Sequence, residues 1–167
     1  MTPKPSSVRV ATVTDEDALF PILMMAHKEN GTMPVSEFRV WEIIRNATRR
    51  NRPKEERTGY NVIGVIDGPK EIEAILSLEL ARMSYSDNWH LQDICNFVHP
   101  DHRKSNHAAD LLEFGKWISD QMGFPLLIGI LTDERLAAKK RFYQRRVKEC
   151  GALYLHNPIS SAMLATA

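Results

Sequence analysis

The segment richest in chemistry runs Val98-His99-Pro100-Asp101-His102-Arg103-Lys104-Ser105-Asn106-His107-Ala108-Ala109, with Leu111-Leu112 following. An apolar stretch ends, a proline turns the chain, basic residues follow, and small or polar residues lead into a helical pattern. Backbone N–H groups at such a helix start have no partner within the helix. Together with the positive end of the helix dipole they form an anion site suited to phosphates. Small side chains let a ligand approach the backbone closely. The expected donors are the amides of Lys104, Ser105, Asn106, His107, Ala108 and Ala109, with charge added by Arg103 and Lys104. His99, His102 and His107 cluster in the same segment. Their spacing is not the helical i, i+4 pair of a metal site, and no metal is expected.

The elements around this segment follow from periodicity. Val8–Thr12 reads as a short strand. Thr14, with Asp17 three residues on, suits a helix N-cap, and Leu19, Ile22, Leu23 and Ala26 recur at helical spacing. Pro21 should kink that helix or delay its start. A second helix from about Ser36 puts Val40, Ile43, Ile44 and Ala47 on one face. Then the period changes. Tyr60–Ile66 is β-branched and apolar, Asp67-Gly68-Pro69 is a turn, and a strand from Ile72 to Leu80 follows. Trp89–Val98 alternates, with Trp89, Leu91, Asp93, Cys95 and Phe97 on one face. Apolar residues on both faces suit a central strand covered on both sides. Ala108, Leu111, Leu112, Gly115, Ile118 and Met122 mark an amphipathic helix that Gly123 ends. Pro125–Leu131 reads as a buried strand, about Glu134–Glu149 as a charged helix, and Ala152–His156 as a last strand. The order β-α-α-β-β-β-α-β-α-β predicts an α/β or α+β fold with a mixed sheet.

In this order and at these residues the chain resembles the GNAT N-acetyltransferases, which use acetyl-CoA. Val98-x-Pro100, Arg103-x-x-Asn106-x-Ala108 and Leu111-Leu112 stand in the register of that family's central motif. Asn106 occupies a position usually held by Gly, and Lys104 replaces another common Gly. Asn tolerates positive φ better than other residues with a side chain. The order Leu126–Leu131, Thr132, a helix with Phe142-Tyr143, then Gly151–Tyr154 agrees with the family as well. The resemblance covers about residues 8–156 in element order, and about 91–112 and 131–154 in motifs.

The resemblance implies a twisted mixed sheet flanked by helices and transfer of an acetyl group from acetyl-CoA directly to a primary amine in a ternary complex. Arg103 to Ala109 would hold the pyrophosphate. Phe97 and Val98 would end a splayed strand whose backbone pairs with pantetheine and stabilises an oxyanion. Thr132 and Lys139, or its neighbour Lys140, would lie along the cofactor. Tyr143 would protonate the leaving thiolate, with Phe142 the competing aromatic. An amine arrives as an ammonium and must lose a proton. Glu79, Asp93 and His90 are candidate bases beside a water relay, and Asp93 is favoured because a carboxylate on an apolar strand face is costly unless used or paired.

Composition narrows the alternatives. The 167 residues are 43% hydrophobic and 26% charged, with 8 Gly and 9 Pro, which is ordinary globular usage. No apolar run reaches the roughly 18 residues of a membrane span. MTPKPSSVRV has no apolar core and does not read as a signal peptide. Cys95 and Cys150 lack disulfide or metal patterning, and a cytoplasmic protein with reduced thiols is expected. Net charge is +1, yet residues 45–57 carry +4 and residues 134–149 carry +5, leaving −8 for the rest. That asymmetry suggests an anionic partner. Two other readings follow: a cofactor-binding module without turnover, and a nucleic-acid binder using the basic stretches. The second lacks any helix-turn-helix or zinc-finger signature. The expected partner is an amine acceptor, small molecule or protein. Residues 1–7 read as a loose segment, 8–156 as one domain and 157–167 as a tail, which with a sheet edge would suit a homodimer.

Overall fold

A computed structural model describes residues 2–30, 33–49, 59–132 and 135–151. Among these, five strands form one sheet in chain order: β1 (Arg9–Val10), β2 (Asn61–Asp67), β3 (Ile72–Arg82), β4 (Trp89–Val98) and β5 (Leu126–Leu127). Neighbours from β1 to β4 pair antiparallel, and β4 pairs parallel with β5. The sheet is therefore mixed, as expected. The parallel pair is joined by α3 (His107–Met122), the crossover helix such a connection requires. Helices α1 (Glu16–Asn30) and α2 (Glu37–Thr48) cover one face, and α4 (Leu136–Gln144) follows β5. The expected strand Ala152–His156 and the tail lie outside the described residues.

Period-2 alternation builds the two cores. Ile63, Val65 and Ile75 pack under α1 and α2 with Leu19, Leu23 and Ile44. Leu76 and Leu78 face α3 with Leu111, Phe114 and Ile118. α3 stops where expected, at Gly123 with φ 69°, a left-handed cap whose N–H reaches Ser119 O at 2.9 Å.

Four local expectations are corrected. The cap before α1 is Thr12 rather than Thr14, because the Thr12 N–H donates to the Asp15 carboxylate at 2.7 Å and a single 3₁₀ turn leads into the helix. Pro21 lies inside α1, which already runs from Glu16, so the proline does not delay its start. The first strand pairs only over Arg9–Val10, and β5 only over Leu126–Leu127. The alternation of β4 breaks at Ile94, where pairing passes from Leu78–Asp93 to Ser77–Cys95. This bulge separates the predicted single face: Leu91 joins the α3 core, whereas Cys95 and Phe97 join the core under α1 and α2. Bulges re-aim side chains in this way beside functional sites.

Candidate active site

β4 and β5 pair at Leu91–Leu126 and Gln92–Leu127, and then part. Beyond Gln92, the β5-facing edge of β4 has no strand partner among the described residues. At the fork, Asp93 Oδ1 accepts the Gly129 N–H at 2.7 Å, a side chain standing in for the next rung. The opening is a cleft of about 520 Å³, counting its mouth, lined among others by Asp93, Asn96, Phe97, Thr132, Lys139 and Tyr143. Five expected residues, Asp93 and Phe97 from β4, Thr132 after β5, and Lys139 and Tyr143 from α4, thus meet around one cavity with Asn96, which was not expected.

Burial sets the electrostatics of this cleft. It pushes the Asp93 carboxyl up to about 6, against the pull of the Gly129 N–H. Burial, with the nearby Asp93 charge, also raises the Tyr143 phenol above its ordinary value, so it stays protonated at working pH. The Asn96 amide lies beside the Tyr143 hydroxyl and opposes that rise. Yet Asn96 Nδ2 and Oδ1 are buried and neither completes a hydrogen bond with a described residue. Buried polar atoms rarely stay unpaired without a reason, and these point to a polar ligand in the cleft. Sequence reasoning misses Asn96; a polar residue amid the apolar stretch of β4 is the available signal. Cys95 is buried, its thiol pushed up to about 12 by desolvation and Asp93, so it is no nucleophile at neutral pH.

The loop before α3 carries a second anion-friendly feature. Pro100–His102 forms a 3₁₀ turn, and the Ser105 N–H donates to His102 O at 3.0 Å. The His107 N–H goes to Ser105 Oγ at 3.2 Å and the Ala109 N–H to Asn106 O at 2.9 Å. Of the six expected amide donors, these three are used internally. Those of Lys104, Asn106 and Ala108 have no partner among the described residues. Asn106 sits at φ −87°, ψ 4°, in the right-handed region. No positive φ is needed, so the Gly-to-Asn departure carries no backbone strain.

Arg103 and Lys139 converge on Glu29, near the end of α1. Arg103 pairs with its carboxylate and also donates from Nε to Val98 O at 3.3 Å, with Phe97 under its guanidinium at 5.8 Å. Lys139 Nζ reaches the other carboxylate oxygen at 3.1 Å, and Thr132 Oγ1 donates to Glu29 O at 3.3 Å. Glu29 therefore ties α1 to the loop and to α4. Nothing in local spacing points to it, because its partners lie 74 and 110 residues away.

The fold separates other candidates. Glu79 faces Gln92 across the β3–β4 pair and accepts its amide at 3.3 Å, away from the cleft lining. His90 is buried opposite Ala81 and does not line the cleft either. Val98 packs beside the α3 core with its carbonyl held by Arg103. Lys140 pairs with Glu149 outside the cleft at 3.5 Å. Phe142 takes the Arg146 guanidinium at 4.2 Å, and of the two neighbours Tyr143 is the one that lines the cleft. In the first basic stretch Arg49 pairs with Glu16 at 2.6 Å and Arg45 stands over Trp41; residues 50–58 lie outside the described set.

No model of a known protein family matches this sequence, and no curated protein matches it. Solved structures do. A probable acetyltransferase shares 18% identity over 92% of this chain and 98% of its own, with a TM-score of 0.65. A predicted acetyltransferase with acetyl-CoA from Clostridium acetobutylicum gives 13% identity over 90% and 94%, with a TM-score of 0.65. The ribosomal-protein-alanine N-acetyltransferase from Brucella melitensis biovar Abortus gives 11% identity over 90% and 98%, with a TM-score of 0.62. The likeness is one of fold.

Proposed function

We propose that this chain, whose fold is that of the GNAT acetyltransferases, transfers an acetyl group from acetyl-CoA to a primary amine. The observation that carries the reading is the fork between β4 and β5, with Asp93, the unpaired Asn96 amide and protonated Tyr143 around it. The residues present fit acetyl-CoA. The unpaired amides of Lys104, Asn106 and Ala108, at the positive end of a 16-residue helix, suit a pyrophosphate. The edge of β4 from Asp93 onward, without a strand partner among the described residues, suits an extended, amide-bearing arm, which would complete the interrupted ladder. Asn96, a donor and an acceptor, suits a polar group at the same depth. When bound, acetyl-CoA supplies a thioester, an acyl group already activated toward amines.

The protein's own groups divide the proton work. Asp93, ionised above about pH 6, takes the proton of the incoming ammonium. Tyr143 keeps its proton through neutral pH and holds it for the departing thiolate. Cys95 stays a buried thiol and Cys150 is not among the residues that line the cleft, so transfer is read as direct rather than through an acyl-cysteine. Acetyl-CoA at about 100 times its Kd should stabilise the protein by roughly 2.7 kcal/mol, about 5–10 °C in Tm at this size. Adenosine nucleotides serve as controls, and no shift at millimolar acetyl-CoA would sink the reading. Tyr143→Phe is expected to lower kcat by about tenfold or more while leaving Tm within a few degrees; unchanged turnover would remove Tyr143 from the chemistry.

A further inference from the structure

At the end of the sheet where β4 stops, three imidazoles and two carboxylates gather. Glu73 stands one residue before the Ala74–Val98 pair, so its carbonyl accepts the His99 N–H at 2.8 Å. Glu71 precedes it at the β2–β3 turn. His99 and His102 flank the 3₁₀ turn Pro100–His102, which has three residues per turn, so side chains at i and i+3 come to one side. Their ring centroids lie 5.9 Å apart. A ligand atom from each of Glu71, His99 and His102 lies within 4.8 Å of the others.

We propose that Glu71, His99 and His102 form a binding site for a divalent transition-metal ion of the zinc class. Two imidazoles and a carboxylate are a donor set such ions take, with a fourth position left to water. At bond lengths of about 2.0–2.2 Å, tetrahedral ligand atoms stand about 3.4 Å apart. The trio must therefore close by at most about 1.4 Å. Glu71 is exposed and both imidazoles are only half-buried, which leaves them that freedom.

Two surrounding features favour a cation. Glu73 Oε2 meets His107 Nε2 at 2.7 Å, and Glu73 Oε1 lies 3.6 Å from His102 Nδ1. The Glu73 hydrogen bond is thus to His107, and its other oxygen stands beside the His102 ring without a hydrogen bond to it. Asp101, 3.7 Å from His99 Nδ1, adds a third carboxylate. Glu71, Glu73 and Asp101 thus place three carboxylates around the rings, a setting that attracts a divalent cation. A helical i, i+4 rule overlooks the pair because it assumes 3.6 residues per turn. The site is independent of the acyl-transfer reading.

The test is calorimetric titration of the chelator-stripped full chain with Zn²⁺, repeated with Co²⁺ while following visible absorption. One equivalent should bind saturably, and Co²⁺ should show the intense bands of a four-coordinate ion. The double variant His99→Gln/His102→Gln should weaken binding by about 100-fold or more and Glu71→Gln by about tenfold. Cys150→Ser should bind as wild type does. Absence of saturable binding, binding that survives the double histidine variant, or binding lost with Cys150 would each overturn the site. Glu71 is exposed, so its variant keeps the test decisive should the histidine pair unfold the loop.

Discussion

Replacing Asp93 by Asn is expected to lower kcat by about 10²- to 10⁴-fold, the range a positioned general base supplies, and to raise Tm at pH 8. The two effects share one cause. Asparagine keeps an oxygen for the Gly129 N–H but cannot take a proton. In the wild type, kcat/KM should climb through about pH 6 as Asp93 ionises, and in the variant that limb should vanish. The stability sign follows from the same displacement. The folded carboxyl sits at about 6, above its unfolded value of 3.8, so between these pH values the folded state holds the extra proton. Stability therefore falls as pH rises from about 4 to 6 and stays at the lower level above. The Asp93→Asn variant escapes that loss, by up to about 3 kcal/mol at pH 8, or up to about 6–12 °C in Tm. Its advantage shrinks as pH falls toward 4. Wild-type turnover with an unaltered pH profile would dismiss Asp93 as the base.

Gly64→Ala should be the most damaging one-carbon change in the core. Gly64 lies in β2, where an added Cβ would stand 2.5 Å from Phe114 Cε1 and 2.6 Å from Cδ1, and 3.1 Å from Val8 Cγ1. Phe114 is fully buried and its ring lies against Trp117, with centroids 5.7 Å apart, so neither β2 nor α3 yields cheaply. Overpacking of this kind costs about 1–3 kcal/mol. At about 2–4 °C per kcal/mol, Tm should drop by roughly 2–12 °C. Phe114→Leu in the alanine background should recover part of the loss, so the double variant costs less than the two singles summed. A melting curve within a degree of wild type would contradict this contact between sheet and helix.

Secondary structure was legible in the chain because periodicity is a local property. The helical spacing of Leu111, Leu112, Gly115 and Ile118, with Gly123 after it, fixes the face of α3 and its end. The apolar alternation of Ile63, Val65, Leu76 and Leu78 assigns each strand two faces and hence a sheet covered on both sides. The segment from Val98 to Leu112 reads as a strand, a proline turn and a helix start from its residues, whereas its reading as a phosphate loop rests on the resemblance of its register to the acetyltransferase motif.

What depended on a second element did not show in the chain. Tyr143 and Phe142 are equal candidates as letters; the seating of α4 against the fork puts Tyr143 in the cleft and sends Phe142 to Arg146. Glu79 and Asp93 are both strand carboxylates, and only the parting of β5 from β4 beyond Gln92 buries one of them at an opening. Asn106 reads as a defect until its φ of −87° shows that the turn asks for no glycine. The Arg103–Glu29–Lys139 knot joins residues too distant for any spacing rule, and the imidazole pair depends on a 3₁₀ rather than an α-helical turn. Sequence alone determined where the chain is helical or extended and which faces are apolar, because neighbouring residues decide those. Tertiary structure alone decided which polar groups meet and which lose their water, because desolvation and charge pairing act through space.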